Sequence, residues 1–185
     1  MSGFLDNRIE KGNIVEGYEC LGNFDDAKFY KNKNYKFITG LGSAISFKKK
    51  DKAIKSYGLN ENDFIKLISK SSIIETSSTN LKAGCLIFDN VFLGFSVKIG
   101  YLSLINTKVF IGHETKIADY CFVGPNSTVS GNVNVESSVY IGAGVTIKDH
   151  VSICSNVLIG CGSVVVKDIK IPGTYAGVPA KLIKI

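Results

Sequence analysis

The sequence predicts a mainly β protein whose C-terminal half is a three-sided coil of parallel strands. Three observations predict it. Stepping by six from Leu81 meets an aliphatic residue every time: Ile87, Leu93, Ile99, Ile105, Ile111 and Ile117, then on without insertion to Val165. Four places after each of these sits a small or β-branched residue, from Cys85 through Ser103, Thr115 and Ser127 to Ile169. The place directly after the aliphatic is often glycine, as at Gly94, Gly100, Gly112, Gly124, Gly142 and Gly160.

A helix of 3.6 residues per turn cannot hold a strict period of six on one face, and an alternating strand has no use for a recurrent glycine. Three short six-residue strands make one triangular coil. The aliphatics then point into the prism and the small residues occupy its tight corners. The fifteen hexapeptides from Leu81 give five such coils. Residues eighteen apart stack in columns, with a rung spacing of about 4.8 Å. Phe95, His113, Gly131 and Asp149 share one column, and Glu114, Asn132 and His150 the next.

The chain of 185 residues is long enough for one large core or two modest domains, and its 45% hydrophobic content suits a globular protein. No stretch approaches the roughly 18 to 20 apolar residues of a membrane span. The start, MSGFLDNRIEKG, lacks the basic-then-apolar order of a signal peptide, so the expected location is cytoplasmic. A formal charge of +6 suits anionic partners such as nucleotides or coenzyme A. The lysine runs KNKNYK and KKKDK lack the arginines and interleaved aromatics of a nucleic-acid surface, so neither nucleic acid nor membrane is an expected partner. Five cysteines without a C-x-x-C pair read as free thiols.

Histidine is scarce, which draws attention to VFIGHETKIADYCFVGPNSTVSG, residues 109 to 131. His113 falls two places after the inward Ile111 and therefore faces outward, beside Glu114. An imidazole with an ordinary pKa near 6.5 is suited to take a proton from an amine or hydroxyl, and a neighbouring carboxylate orients it and steadies the imidazolium. His150, in IKDHVS, reads as a solvated turn residue. Two histidines in different columns do not supply the three that a catalytic zinc of the β-helix type requires, so no metal is expected. Cys121 reads as corner packing, and Cys161 points outward without a histidine in its column to activate it.

The tail IPGTYAGVPAKLIKI carries Gly177-Val178-Pro179-Ala180-Lys181, and together with INTKVFIGHETKIAD it resembles the hexapeptide-repeat acetyltransferases of the sialic-acid O-acetyltransferase and UDP-4-amino-sugar N-acetyltransferase family, over nearly the whole chain. The resemblance implies a left-handed parallel β-helix over residues 77–185 preceded by a small, truncated Rossmann-like α/β domain over residues 1–76. GFLDN looks like that domain's second strand with its acidic pair, the second acid replaced by Asn7. KFITGLGS looks like the third strand with its glycine turn at Gly42, and Ser43 is placed to cap the helix that follows. The family's opening strand and glycine-rich loop have no counterpart before Gly3; either the chain begins late or the acceptor is bound differently.

The same resemblance implies the site. His113 becomes the general base, Glu114 its partner and Asn106 a polar group nearby. The Gly131 amide becomes an oxyanion donor. Acetyl-CoA lies along Ala143 and Cys161 and against the tail, and Asp6, Asn7 and Gly42 contribute to acceptor binding. Family N-acetyltransferases often carry a second histidine nine residues after the first, on the cofactor side; here that residue is Phe122. The expected activity is acetyl-CoA-dependent N-acetylation of a nucleotide-linked amino sugar in bacterial surface-glycan biosynthesis. O-acetylation of a sugar of the sialic-acid type and a non-catalytic scaffold are the alternatives. A homotrimer is expected because the outward Phe95, Tyr101, Phe110, Phe122 and Tyr140 need cover.

Overall fold

The structure, a computed structural model, describes residues 1–75 and 79–185. The C-terminal part is a prism of three parallel sheets. The first face runs from Leu67–Ile68 through Leu86–Ile87, Leu104–Ile105, Phe122–Val123 and Tyr140–Ile141 to Val157–Ile159. The second runs from Ile73–Ile74 through Phe110–Ile111 to Val164–Val165, and the third from Asn80–Leu81 through Lys116–Ile117 to Ser152–Ile153. From Asn80–Leu81 to Thr146–Ile147 each strand pairs in register with the strand eighteen residues on, as Ile111 does with Val129 and Ile117 with Val135.

The core follows from this pairing. Leu93, Ile105, Ile111, Val123, Ile141, Ile147 and Ile159 are each 0% exposed, so from Ile87 to Val165 the inward aliphatic of each strand is removed from water, a burial worth roughly 1.5 to 3 kcal/mol per side chain. The polar corners are satisfied across rungs. Thr115 Oγ1 donates to the Ser130 carbonyl at 2.8 Å and accepts from the Val133 N–H at 3.2 Å. Ser127 Oγ does the same with Gly142 at 2.9 Å and Val145 at 3.2 Å. Rungs touch directly after the inward aliphatic: a Cβ on Gly112 would lie 2.5 Å from the Gly131 nitrogen.

The coil stack begins earlier than the repeat suggests. Leu67–Ile68 and Ile73–Ile74 already pair with Leu86–Ile87 and Phe92–Leu93, which adds two strands ahead of the expected five coils. The step from Ile74 to Leu81 is seven residues rather than six, and that one insertion breaks the sequence register. The expected boundary at residues 76 and 77 lies outside the described residues. At the other end Gly173–Ala176 adds to the first face, and Lys181–Lys184 folds back on it antiparallel.

In the N-terminal segment Tyr18–Gly22 is the central strand, parallel to Phe4–Leu5 and antiparallel to Ile14–Val15. The helices Ala27–Asn32 and Lys50–Ser56 are short. KFITGLGS is not a strand: only Phe37 makes a bridge, to Phe64, before the chain bends through Gly42 at φ 123°. Ser43 does not cap the helix. Its hydroxyl pairs with Ser46 Oγ at 3.0 Å and its carbonyl takes the Ser46 and Phe47 N–H groups, so it closes a turn ahead of Lys50–Ser56.

This segment is clasped to the prism by a second buried cluster. Ala27, Ile54, Leu59 and Phe64 pack on Tyr101 and Leu102, so Tyr101, expected to await a subunit partner, is covered within its own chain. Lys50 is buried in the joint and donates from Nζ to the Leu102 carbonyl at 2.7 Å. Desolvation lowers its pKa to about 8. The same burial pushes the Cys85 and Cys121 thiols up to about 12.

These shifts have a sign. Lys50 sheds its proton in the folded chain before the unfolded chain does, which adds stability as pH rises from about 8 to its unfolded value of 10.5. Cys85 and Cys121 keep protons that the unfolded chain releases from about pH 9, and two thiols outweigh one amine. Tm is expected to rise between pH 8 and 9 and fall between 9 and 10.5; a monotonic rise across the whole range would contradict the burial of the two thiols. A thiol reagent at pH 8 should titrate the exposed Cys161 quickly and the half-buried Cys154 more slowly, with Cys20, Cys85 and Cys121 reacting only on unfolding.

Candidate active site

His113 stands where the second face ends, at the corner leading to the third. Its side chain is 50% exposed, which agrees with its outward place in the repeat. From Gly84 to Gly162 every coil corner has one residue in the left-handed region, and here that residue is Glu114 at φ 59°. This unusual backbone swings the carboxylate back beside the imidazole it follows, and Glu114 Oε2 lies 3.1 Å from His113 Nδ1. The other ring nitrogen faces the next rung. A Cβ on Gly131 would sit 2.7 Å from Nε2, so only glycine admits the imidazole in this position. Among the described residues the Gly131 N–H donates no hydrogen bond, whereas the flanking Asn132 N–H is bonded to the His113 carbonyl at 2.8 Å. A basic nitrogen and an unsatisfied amide donor therefore occupy adjacent rungs of one corner.

Asn106 is at a different corner, where the first face ends, and its Oδ1 accepts from the Thr107 N–H at 2.8 Å. The same corner carries Ala143 and Cys161. Above Asn106 its column continues as Gly124, Gly142 and Gly160, so this edge bears little side chain. The rungs are close enough that a Cβ on Gly142 would meet the Cys161 nitrogen at 2.7 Å and its sulfur at 3.0 Å. The structure thus brings His113, Glu114 and Gly131 together and sets Asn106, Ala143 and Cys161 across the width of the second face. Phe122 belongs to neither group. Its ring stacks on Tyr140 at 4.5 Å, and Tyr140 in turn lies 5.7 Å from Phe47 of the N-terminal segment.

The N-terminal positions also separate. Asp6 and Asn7 border a cleft of about 420 Å³ with Arg8, Lys11 and Asp26. Asp6 Oδ1 accepts from the Arg8 N–H at 2.7 Å, and Asn7 Oδ1 accepts from the Phe24 N–H at 2.8 Å, which shapes the cleft wall. Gly42 lies instead over the Lys50 side chain, so it acts on the joint between the two parts of the chain and not on the cleft. A lysine within KKKDK gives no signal of burial, so the place of Lys50 in the joint is not legible in the sequence. Phe95 shares the His113 column, but in the sequence it reads only as an aromatic of a subunit interface.

Among the described residues no helix is long and apolar enough to cross a membrane. No group of three or more His, Cys, Asp or Glu side chains there is placed to hold a metal ion.

The chain is a left-handed parallel β-helix behind a small α/β segment, with an imidazole–carboxylate pair on one edge. The same fold occurs in several solved structures. One is a variant of perosamine N-acetyltransferase from Caulobacter crescentus in complex with CoA and GDP-perosamine, at a TM-score of 0.85 and 23% identity over 99% of this chain and 85% of that one. A second is the acetyltransferase domain of PglB from Neisseria gonorrhoeae in complex with acetyl coenzyme A, at 0.84 and 20% over 98% and 85%. A third is WeeI from Acinetobacter baumannii, at 0.78 and 23% over 98% and 85%. No family model and no curated protein matches the sequence.

The pairing with Glu114 fixes the tautomer: neutral His113 carries its proton on Nδ1 and leaves Nε2 bare. Nitrogen-15 shifts of the imidazole at pH 8 should show that single tautomer in the native protein and a mixture in Glu114→Ala. A protonated Nε2 in the native protein would contradict the geometry.

Proposed function

We propose that the protein is an acetyl-CoA-dependent acetyltransferase whose acceptor is the amino group of a nucleotide-linked sugar. The observation that carries this reading is the pairing of His113, oriented by Glu114, with the open N–H of Gly131 one rung away. Such a corner serves a reaction that removes a proton from a nucleophile while negative charge grows on a carbonyl oxygen. The complexes with CoA and GDP-perosamine or acetyl coenzyme A seen in proteins of this fold supply the class of donor and acceptor.

The acceptor nitrogen attacks the thioester carbonyl as His113 Nε2 takes its proton, and the tetrahedral oxyanion accepts a hydrogen bond from the Gly131 N–H. Preorganised donors of this kind are worth about 3 to 4 kcal/mol. The intermediate collapses by breaking the carbon–sulfur bond, and coenzyme A leaves with the proton returned by the imidazolium. No covalent enzyme intermediate is needed. Cys121 is excluded as a nucleophile by burial and by a thiol pKa near 12.

The side-chain-poor edge at Gly142, Ala143 and Cys161 suits the long pantetheine chain of the cofactor, which would run toward the C-terminal hairpin. The segment ahead of the first coil strand, Leu67–Ile68, is the acceptor-binding unit, with the nucleotide in the Asp6 and Asn7 cleft. Its volume falls in the usual range of roughly 300 to 1,000 Å³ for small-molecule sites.

His113 and the Ala143 edge bound opposite sides of the second face, whose outward side includes the exposed Ile73 and Phe110. Packing that face around a three-fold axis covers it and sets the His113 corner of one copy against the Ala143 edge of the next. The active protein is accordingly a homotrimer with its sites between copies.

Coenzyme A release, followed with a thiol reagent in the presence of acetyl-CoA and a panel of UDP- and GDP-linked amino sugars and free sugars, tests the activity. Turnover with an amino-sugar nucleotide and a roughly 100-fold or greater loss of kcat in His113→Ala are expected. Near-normal turnover in that variant would overturn the role of His113, and turnover only with hydroxyl acceptors would overturn the choice of an amine. Sedimentation should show a trimer, and a monomer that retains activity would contradict a site shared between copies.

A further inference from the structure

We infer that Phe95 is the positioning residue of the site, holding the His113 imidazole in its one productive orientation. His113 side-chain exposure is 50%, and a half-exposed imidazole tethered by a single carboxylate contact retains rotamer freedom. The column removes that freedom. The Phe95 ring lies on the His113 ring with centroids 5.3 Å apart and planes 8° from parallel. The rung itself is tied by the Glu114 N–H, which donates to the Phe95 carbonyl at 2.9 Å, so the residue that sets the imidazole tautomer is anchored to the residue that stacks on it. Gly131 forms the other wall, where even a methyl group would meet Nε2 at 2.7 Å.

The ring is thus held between an aromatic face, a carboxylate at Nδ1 and a bare backbone, and Nε2 is left above the rung that carries the open N–H. Stacking of this kind adds an attraction beyond burial and selects one rotamer of a side chain otherwise free to turn toward solvent. It also explains a large aromatic at 50% exposure beside a catalytic corner: Phe95 touches the base and not the reacting atoms. The functional consequence rests on the acetyl-transfer reading, whereas the clamp itself does not.

The test has two readouts. Because the chain has only two histidines, proton NMR of the imidazoles gives two ring systems, assigned with His150→Gln. The His113 ring protons should lie upfield of those of His150 through the Phe95 ring current, and should move to ordinary positions in Phe95→Leu. In the acetyl-transfer assay Phe95→Leu should lose roughly 10- to 100-fold in kcat, the range expected when a catalytic group is displaced by about 1 Å, with KM for acetyl-CoA little changed. Phe95→Tyr should restore both the ring-current shift and kcat. Gly131→Ala, which closes the other wall, should shift the His113 resonances without touching Phe95. Unshifted His113 protons in the native protein would overturn the clamp, as would a Phe95→Leu enzyme with unchanged kcat or a loss that tyrosine does not repair. Absence of turnover in the native protein with the ring-current shift present would instead count against the acetyl-transfer reading alone.

Discussion

A side chain that returns to the interior once in six residues has to share the prism with its counterparts on rungs about 4.8 Å above and below it. That spacing governs the rest of the molecule. It demands residues without bulk where rungs touch, as at Gly112, and corner hydroxyls that bond across rungs, as Thr115 and Ser127 do. It also sets a left-handed backbone residue at each corner from Gly84 to Gly162. The site is assembled from the same three consequences. A left-handed corner residue is Glu114, a rung without a side chain is Gly131, and the column repeat sets Phe95 over His113.

Chemistry and architecture are therefore hard to separate in this chain. The left-handed conformation is one that a glutamate seldom adopts, and the coil imposes it whatever residue stands there. At most corners the position is filled by asparagine, serine or glycine, which need no further explanation. At residue 114 the imposed backbone turns a sequence neighbour, whose side chain would otherwise diverge, into a partner of the imidazole. The stacked rungs then hold that geometry, with Phe95 of the preceding rung lying on the imidazole face.

The coils were legible in the sequence because period six is incompatible with both a helix and an alternating strand, and every inward position from Ile87 to Val165 is buried as the pattern requires. The first two strands, Leu67–Ile68 and Ile73–Ile74, were not legible, since one extra residue between Ile74 and Leu81 shifts the register. The outward place of His113 and its nearness to Gly131 were readable from column arithmetic, but the reach of Glu114 to Nδ1 depends on a backbone angle that no composition reveals. The N-terminal segment was the least legible. KFITGLGS has the apolar character of a strand, yet its only pairing is the bridge from Phe37 to Phe64, and Tyr101 looked like subunit surface until Phe64, Ile54 and Leu59 were found over it. Non-local packing decided both points.

The central claim is that one corner of the coil, with Nε2 of His113 and the N–H of Gly131 on neighbouring rungs, receives the thioester of a cofactor lying along the Ala143 edge of another copy. An experimental structure of the protein with acetyl-CoA tests this most directly. The account predicts a trimer with the thioester carbonyl oxygen about 2.7 to 3.1 Å from the Gly131 nitrogen and the pantetheine chain along Ala143 and Cys161 of the adjoining copy. Acetyl-CoA bound away from His113, or held by one chain with its second face still open to solvent, would contradict it.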